Sequence, residues 1–133
     1  MPSLTTVKMR MKKVPITLRP SMHVHEAVDT LLKHAVSAGF VVNDQGEVVG
    51  VLAERDCLDA FMNEKYYESP TALVEDLMST DVVSISPDAD ILQAADLFSH
   101  HKFHRLPVVS DRRLVGDITR RDVIQAILEK RRT

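Results

Sequence analysis

The strongest constraint on this chain is an internal repeat, because residues 14–60 and 81–126 are two copies of one unit. The matching pairs include Pro20 with Pro87, Asp29 with Asp96, Asp44 with Asp111, Val49-Gly50 with Val115-Gly116, Arg55-Asp56 with Arg121-Asp122, and Ala60 with Ala126. One residue is lost in the turn that follows Asp44. A repeat this short rarely closes a hydrophobic core alone, so we expect the two copies to pack against each other. The seam between them is therefore the first place to look for a ligand.

Each copy predicts the same order of elements. In the second copy, apolar runs bounded by turn residues predict strands at 82–85, 106–109 and 114–118, and helical spacing predicts helices at 90–101 and from 119 onward. The corresponding segments of the first copy are strands 14–18, 40–43 and 48–52 and helices 24–34 and 54–62. A further short helix is predicted at 72–78, after a polar segment at 63–71.

These patterns indicate an α/β (α+β) fold in which two β-α-β-β-α repeats pack about a pseudo-twofold axis. We expect an N-terminal extension at 1–11, a first repeat at 12–63, a linker at 64–73 and a second repeat at 74–133, together forming one module. A length of 133 residues, with 44% hydrophobic and 27% charged residues, suits a single soluble domain.

Bulk properties argue against several classes of function. The formal net charge of −2 gives no overall electrostatic case for binding nucleic acid or an anionic membrane. Basic clusters at 8–13 and 130–132 leave polyanion contact as a weaker hypothesis. The single Cys57 cannot form an internal disulfide, no apolar run approaches the roughly 20 residues of a membrane span, and no secretory signal is visible. We therefore expect a cytoplasmic protein.

The second copy carries the most specific motif, the run from His104 to Val109 (HRLPVV) followed by the run from Leu114 to Asp122 (LVGDITRRD). With the repeat from about Lys12 to Leu128, it resembles the tandem cystathionine-β-synthase (CBS) domain pair, or Bateman module, also found in regulatory subunits of AMP-activated kinases. The resemblance implies a sensor rather than an enzyme, with an adenine nucleotide (AMP, ADP or ATP) bound between the repeats and no required cofactor. It also implies an adenine pocket at the opposite repeat's first strand, here Lys13, Val14, Pro15 and Ile16, with Ile118 as a further wall.

The residue types at the start of the last helix are suited to binding a ligand, and this argument is independent of the family resemblance. Asp122 lies in the first helical turn, where a carboxylate can accept two hydrogen bonds from a ribose 2′,3′-diol. The Thr119 hydroxyl can reach ribose or phosphate, and free backbone N–H groups there favour anions. His104 and Arg105 are candidate phosphate contacts, and Arg121 is a further candidate ligand-binding residue. A second interpretation stays open, because Thr followed three residues later by an acid is also a capping-box variant that needs no ligand.

The first copy departs from this pattern. It has Ser37-Ala38-Gly39-Phe40 where the second copy has His104-Arg105-Leu106-Pro107, and Ala53 replaces Thr119. A second site would comprise Asp56, Arg55, Val82 and Val83. It would keep the ribose acceptor without phosphate contacts on its own strand, so we expect one good site and one that is weak or empty.

Metal binding and catalysis are not predicted. Six histidines are present, but His100 and His104 lie on either side of an expected helix end, and zinc needs three or four converging ligands. Cys57 has no general base within sequence reach and is interpreted as a small buried residue. The carboxylates are scattered, and no Gly-rich phosphate loop is present.

Two classes of function remain. The leading hypothesis is a stand-alone CBS-pair sensor that passes its ligand state to an unidentified protein target, with S-adenosylmethionine or NAD as alternative adenosyl ligands. The other is a ligand-free interaction scaffold, favoured by the degraded first copy and by apolar residues on the two terminal helices. These residues, which are either core or a self-complementary homodimer patch, are Leu58, Phe61, Met62, Ile124, Ile127 and Leu128.

Overall fold

The computed structural model describes residues 5–13, 15–62 and 72–132. The helices are α1 (Val7–Arg10), α2 (Val24–Lys33), α3 (Glu54–Met62), α4 (Val74–Leu77), α5 (Ile91–His100) and α6 (Arg120–Arg132). The strands are β1 (Thr17–Leu18), β2 (Ala38–Val42), β3 (Val48–Ala53), β4 (Arg105–Ser110) and β5 (Arg113–Thr119). Two compact units result: unit 1 contains the chain up to Pro15 and from Val83 onward, and unit 2 contains Ile16–Val82.

Unit 2 is a three-stranded sheet with helices packed on it. Strand β1 pairs in parallel with β2, and β2 pairs antiparallel with β3. The turn between β2 and β3 is held by the Asn43 side-chain oxygen, which accepts from the N–H groups of Gln45 (3.0 Å) and Glu47 (2.9 Å). Gly46 takes the left-handed conformation there, with φ of 81°. The core is formed by Leu18, Val24, Ala27, Leu31, Val41, Leu52, Cys57 and Val74.

Unit 1 is built on the β4–β5 hairpin. Asp111 and Arg112 close it in a two-residue turn with positive φ values of 51° and 69°, the geometry of a type I′ turn. Helix α5 begins at a capping box between Asp90 and Gln93. Its core is formed by Val7, Ile85, Ile91, Ala94, Phe98, Leu106, Val108, Ile118, Val123 and Ala126.

Each unit includes the segment that leads into the first strand of the other repeat. In unit 1 the segment after α1 runs beside β5, and the backbones of Lys12 and Asp117 exchange hydrogen bonds of 2.8 and 3.0 Å. In unit 2 the segment after α4 runs beside β3, and Ser79 and Val51 exchange two bonds of 2.9 Å. The structural repeat is therefore longer than the predicted β-α-β-β-α pattern, since it includes a short helix in front of it.

Most predicted elements agree with the structure. Helix 54–62 has the predicted bounds, and the other helices and the hairpin strands differ by a few residues. The predicted strand at 82–85 is reduced to Ile85, which bridges Val108 in parallel, and the strand at 14–18 is reduced to Thr17–Leu18. Val14 and the predicted polar linker at 63–71 lie outside the described residues. Within the described ranges, no helix is long and apolar enough to cross a membrane.

Candidate functional site

The junction between β5 and α6 forms a reciprocal cap. The Thr119 N–H donates to Asp122 Oδ2 at 2.9 Å, and the Asp122 N–H donates to Thr119 Oγ1 at 3.1 Å. Thr119 and Asp122 therefore form the hydrogen bonds that the capping interpretation requires. In the described part of the chain, the other oxygen of Asp122, Oδ1, takes part in no hydrogen bond, and Asp122 is only partly buried. One carboxylate oxygen is thus committed to the helix start, and one is available to a ligand.

An ion pair on the β4–β5 hairpin was missed by sequence reasoning. Arg105 lies opposite Thr119, and Pro107 lies opposite Asp117, so Arg105 and Asp117 share one face of the hairpin. The Arg105 Nη1 donates to Asp117 Oδ2. The Asp117 side chain is 2% exposed and the Arg105 side chain 25%, and the Asp117 Oδ1 is buried without a partner in the described chain. The charge of Arg105 is therefore compensated by a buried carboxylate.

His104 is tied to the start of α6. The Arg120 backbone N–H donates to the His104 carbonyl at 3.1 Å, and the Arg120 Nη2 contacts the His104 Nδ1. Both side chains are exposed, as is the predicted site residue Arg121.

The N-terminal segment brings further basic residues to the same unit. Lys12 pairs with Asp117 on β5, the next residue, Lys13, is exposed, and Pro15 is partly buried. Arg10 forms an ion pair with Glu129 on α6; this hydrogen bond chiefly raises the pKa of Arg10, and the nearby Asp122 carboxylate raises it further. Arg10 is thus a charged residue near Asp122 that was not predicted from the sequence as part of the site.

Two residues of the predicted ligand site, Ile118 and Ile16, differ from the others in their location. Ile118 is fully buried in the core of unit 1, opposite Leu106, so its side chain packs the core and offers no open wall to a ligand. Ile16 belongs to unit 2 and is partly buried.

The first-repeat counterpart retains half of the cap. The Ala53 N–H donates to Asp56 Oδ2 at 3.1 Å, but no hydroxyl returns the bond. Arg55 is exposed beside it in unit 2. Val82 belongs to unit 2, whereas Val83 packs against the core of unit 1.

Cys57 is a buried thiol, as predicted. It is 3% exposed, and burial, followed by the charges of Asp56 and Glu54, raises its pKa to about 11. The thiolate population needed for nucleophilic chemistry is therefore very small near neutral pH. Among the described residues, no group of three or more His, Cys, Asp or Glu side chains is arranged to hold a metal ion.

Comparison with known sequences identifies the family. The sequence model of the CBS domain matches residues 6–63 and 74–129, which together span most of the chain. The chain belongs to the CBS domain family. The resemblance drawn from the second copy is thereby confirmed, and the match to both copies confirms that the repeat is a tandem CBS pair.

Relatives occur in archaea, bacteria and plants. The chain is 32% identical over 117 residues to protein MJ1225 of Methanocaldococcus jannaschii, covering 88% of this chain and 41% of that protein. It is 31% identical over 121 residues to the CBS domain-containing protein YhcV of Bacillus subtilis, covering 90% and 84%. It spans only 21% of another relative, the inosine-5′-monophosphate dehydrogenase of M. jannaschii, so some CBS pairs are parts of longer enzymes.

Solved structures of CBS pairs have the same fold as this chain. CBSX2 in complex with AMP superposes with a TM-score of 0.83 at 30% identity, covering 96% of this chain and 98% of that one. CBSX2 from Arabidopsis thaliana gives a TM-score of 0.85 at 29% identity, covering 98% and 99%. The CBS pair of MJ0100, in complex with 5′-methylthioadenosine and S-adenosylmethionine, gives 0.82 at 27% identity, covering 96% and 99%.

Proposed function

We propose that this chain is a regulatory CBS pair that binds an adenosyl ligand, with AMP, ADP or ATP as the leading class, at the β5–α6 junction of unit 1. Structural relatives of nearly the same length hold AMP in one case and S-adenosylmethionine with 5′-methylthioadenosine in another. Adenosine is the part that these ligands share. A group that recognises the adenosine ribose therefore serves the whole class.

The observation that carries the proposal is the divided role of Asp122. Its Oδ2 caps α6, while its Oδ1 is without a hydrogen bond in the described chain and its side chain is partly exposed. The capping and ribose-binding interpretations are therefore compatible, because each uses a different oxygen. A carboxylate that is held in place by its cap loses little freedom when a diol binds to it.

In this proposal, the phosphate contacts come from exposed side chains of unit 1. His104, Arg121 and Lys13 are exposed in unit 1, whereas Arg105 is neutralised by Asp117. Arg105 keeps unused N–H donors, but the pair as a whole adds no net charge. This arrangement suits a ligand with few phosphate groups better than one with a long polyphosphate chain.

The proposed mechanism is linkage and involves no catalytic step. A ligand that prefers one conformation of the protein shifts the population toward it by its differential affinity. That shift is transmitted to an unidentified protein target, and we propose that the sensor works as a homodimer in the cytoplasm.

The alternative is an interaction scaffold without a ligand. The observation that favours it is the exposure of large apolar side chains on the helices that end each repeat, with Leu58 62% and Ile124 63% exposed. Such a scaffold predicts no response to any adenosyl compound.

Thermal unfolding with a matched pair of variants separates the two. In Asp122→Asn the remaining amide oxygen can still cap α6, but the charge-assisted bond to a ribose diol is lost. We expect AMP at about 100 times its Kd to stabilise the wild type by about 2.7 kcal/mol, and the shift to disappear in Asp122→Asn. The control Asp56→Asn removes the equivalent charge from the first repeat and keeps the shift.

Ligand chemistry is tested in the same format with AMP, 2′-deoxy-AMP, ATP and S-adenosylmethionine. A ribose-binding Asp122 requires a weaker response to 2′-deoxy-AMP than to AMP. If no compound stabilises the wild type at millimolar concentration, the sensor proposal fails and the scaffold takes its place.

A further inference from the structure

The ion pair between Arg105 and Asp117 lies at the end of the β4–β5 hairpin where α6 begins. Arg105 is directly opposite Thr119, and Asp117 precedes Thr119 by two residues, so the three side chains share one face of the hairpin. Side chains opposite each other in an antiparallel pair have their Cβ atoms about 5 Å apart. The guanidinium of Arg105 is therefore attached beside Thr119, whose hydroxyl forms half of the α6 cap.

The hairpin itself does not require this ion pair. The first repeat builds the corresponding hairpin with Ala38 and Val51 in place of Arg105 and Asp117, and with the same antiparallel pairing. A buried ion pair is also a poor source of stability, because the cost of removing two charges from water offsets most of their attraction. The role of the pair therefore lies elsewhere than in forming the hairpin.

Asp117 depends on Arg105 for the compensation of its charge. Its side chain is 2% exposed, its Oδ2 accepts from Nη1 of Arg105, and its Oδ1 is buried with no partner among the described residues. A buried carboxylate without a counter-charge is strongly unfavourable, so any group that draws the guanidinium away must overcome that cost. Arg105 is 25% exposed, so a solute can reach it, but only in competition with Asp117.

We infer that Asp117 determines which adenosyl ligands the site prefers, by withholding the charge of Arg105 from ligand phosphates. A phosphate group carries about two negative charges near neutral pH and is bound best by an unpaired guanidinium. Arg105 still has N–H donors to offer, but the pair has no net charge, and the Asp117 carboxylate repels the phosphate. Asp117 is thus a positioning residue that acts through Arg105.

This role of Asp117 rests on the proposed function and narrows its ligand class to adenosyl compounds with one phosphate group or none. The ribose acceptor proposed there, Asp122, belongs to α6 and forms no hydrogen bond with Arg105 or Asp117 in the described chain. Asp117 therefore affects the contribution of the phosphate and leaves the binding of the nucleoside alone.

A comparison of adenosine with AMP tests this role, because the ratio of their Kd values isolates the contribution of one phosphate. Asp117→Val introduces the residue type that the first repeat has at this position and leaves Arg105 without its carboxylate. We expect the ratio of the adenosine Kd to the AMP Kd, from isothermal titration calorimetry, to rise about tenfold or more above the wild-type ratio. The adenosine Kd itself changes little, whereas a merely structural defect would weaken both ligands together.

Two further variants assign the effect to Arg105. In Arg105→Met/Asp117→Val no guanidinium remains, so the ratio returns to the wild-type value. Asp111→Asn also removes one negative charge, but from the exposed turn at the other end of the hairpin, where a φ of 51° suits asparagine. This control leaves the ratio unchanged. If Asp117→Val does not fold, Asp117→Asn takes its place, since it keeps the shape of the side chain, removes the charge and predicts the same rise.

The possible failures are distinct. An unchanged ratio with both ligands still bound would overturn the role of Asp117 and leave the proposed function intact. A fall in the ratio would overturn it too, because Asp117 would then orient Arg105 toward the phosphate instead of withholding it. A wild type that binds neither adenosine nor AMP at millimolar concentration would refute the proposed function, and this role with it.

Discussion

At the residue scale, Arg105 and Asp117 most clearly distinguish the two repeats. Their first-repeat counterparts are Ala38 and Val51, so the same hairpin is built once with an apolar pair and once with a buried ion pair. Asp117 interrupts an otherwise apolar run, and this was the available signal in the sequence. Its partner could not be assigned without the strand register, which places Arg105 and Asp117 on one face.

The ion pair gives a specific order of stabilities. Arg105→Met leaves the 2%-exposed Asp117 carboxylate without its cation, and we expect a loss of about 3 kcal/mol or more in the free energy of unfolding. Asp117→Val costs less, because the 25%-exposed guanidinium of Arg105 can turn to water. The double variant falls within about 1 kcal/mol of the wild type. Urea unfolding of the four proteins measures these values, and a double variant less stable than Arg105→Met would contradict the account.

Cys57 predicts a dependence of stability on alkaline pH. The folded thiol has a pKa of about 11 against an ordinary 9.0, so above pH 9 the unfolded chain loses a proton that the folded chain keeps. Stability from this group is complete below pH 9 and is lost as the pH rises toward 11. Between pH 8 and pH 10 we expect the wild type to lose about 1 kcal/mol more than Cys57→Ala. Equal losses in urea unfolding of the two proteins would show that the thiol is not shielded.

At the element scale, the repeat predicted helices and hairpins well because their signals are local. Periodicity located α3 with its observed bounds, and turn residues located both hairpins. The exchange of the segments after α1 and α4 was not predicted, because the partner of Lys12 is Asp117, more than a hundred residues away. Backbone pairing across such a distance has no periodic signature in the sequence.

The exchanged segments explain two glycines at equivalent positions. A Cβ on Gly116 would lie 2.7 Å from the Lys12 carbonyl oxygen, whereas one on Gly50 would chiefly meet the flexible Met78 side chain, with its sulfur at 2.5 Å. Backbone cannot retreat as a thioether can, so we expect Gly116→Ala to destabilise the protein clearly more than Gly50→Ala. Thermal unfolding compares the two, and an equal or reversed order would contradict the close approach of Lys12 to β5.

At the scale of the whole molecule, the sequence predicted the family correctly but missed the separation of charge between the units, which is +6 over residues 1–15 and 83–133 and −8 over residues 16–82. The total charge of −2 by itself indicates no electrostatic preference for a partner. The basic N-terminal segment adds to the basic second repeat only because Lys12 pairs with Asp117, so the separation becomes visible once the units are known. The proposed site has the same origin, because Lys13, Thr119 and Asp122 belong to one unit although they come from opposite ends of the chain.

The measurement that tests the central claim most directly is an NMR titration of the ¹⁵N-labelled wild type with AMP. We predict saturable shifts of the Thr119 and Asp122 amide signals, because both amides form the cap beside the proposed ribose acceptor. We predict smaller or later shifts for Ala53 and Asp56, which retain only half of that arrangement. Saturation at Ala53 and Asp56 first, or no saturable shift at Thr119 and Asp122 at millimolar AMP, would contradict the account.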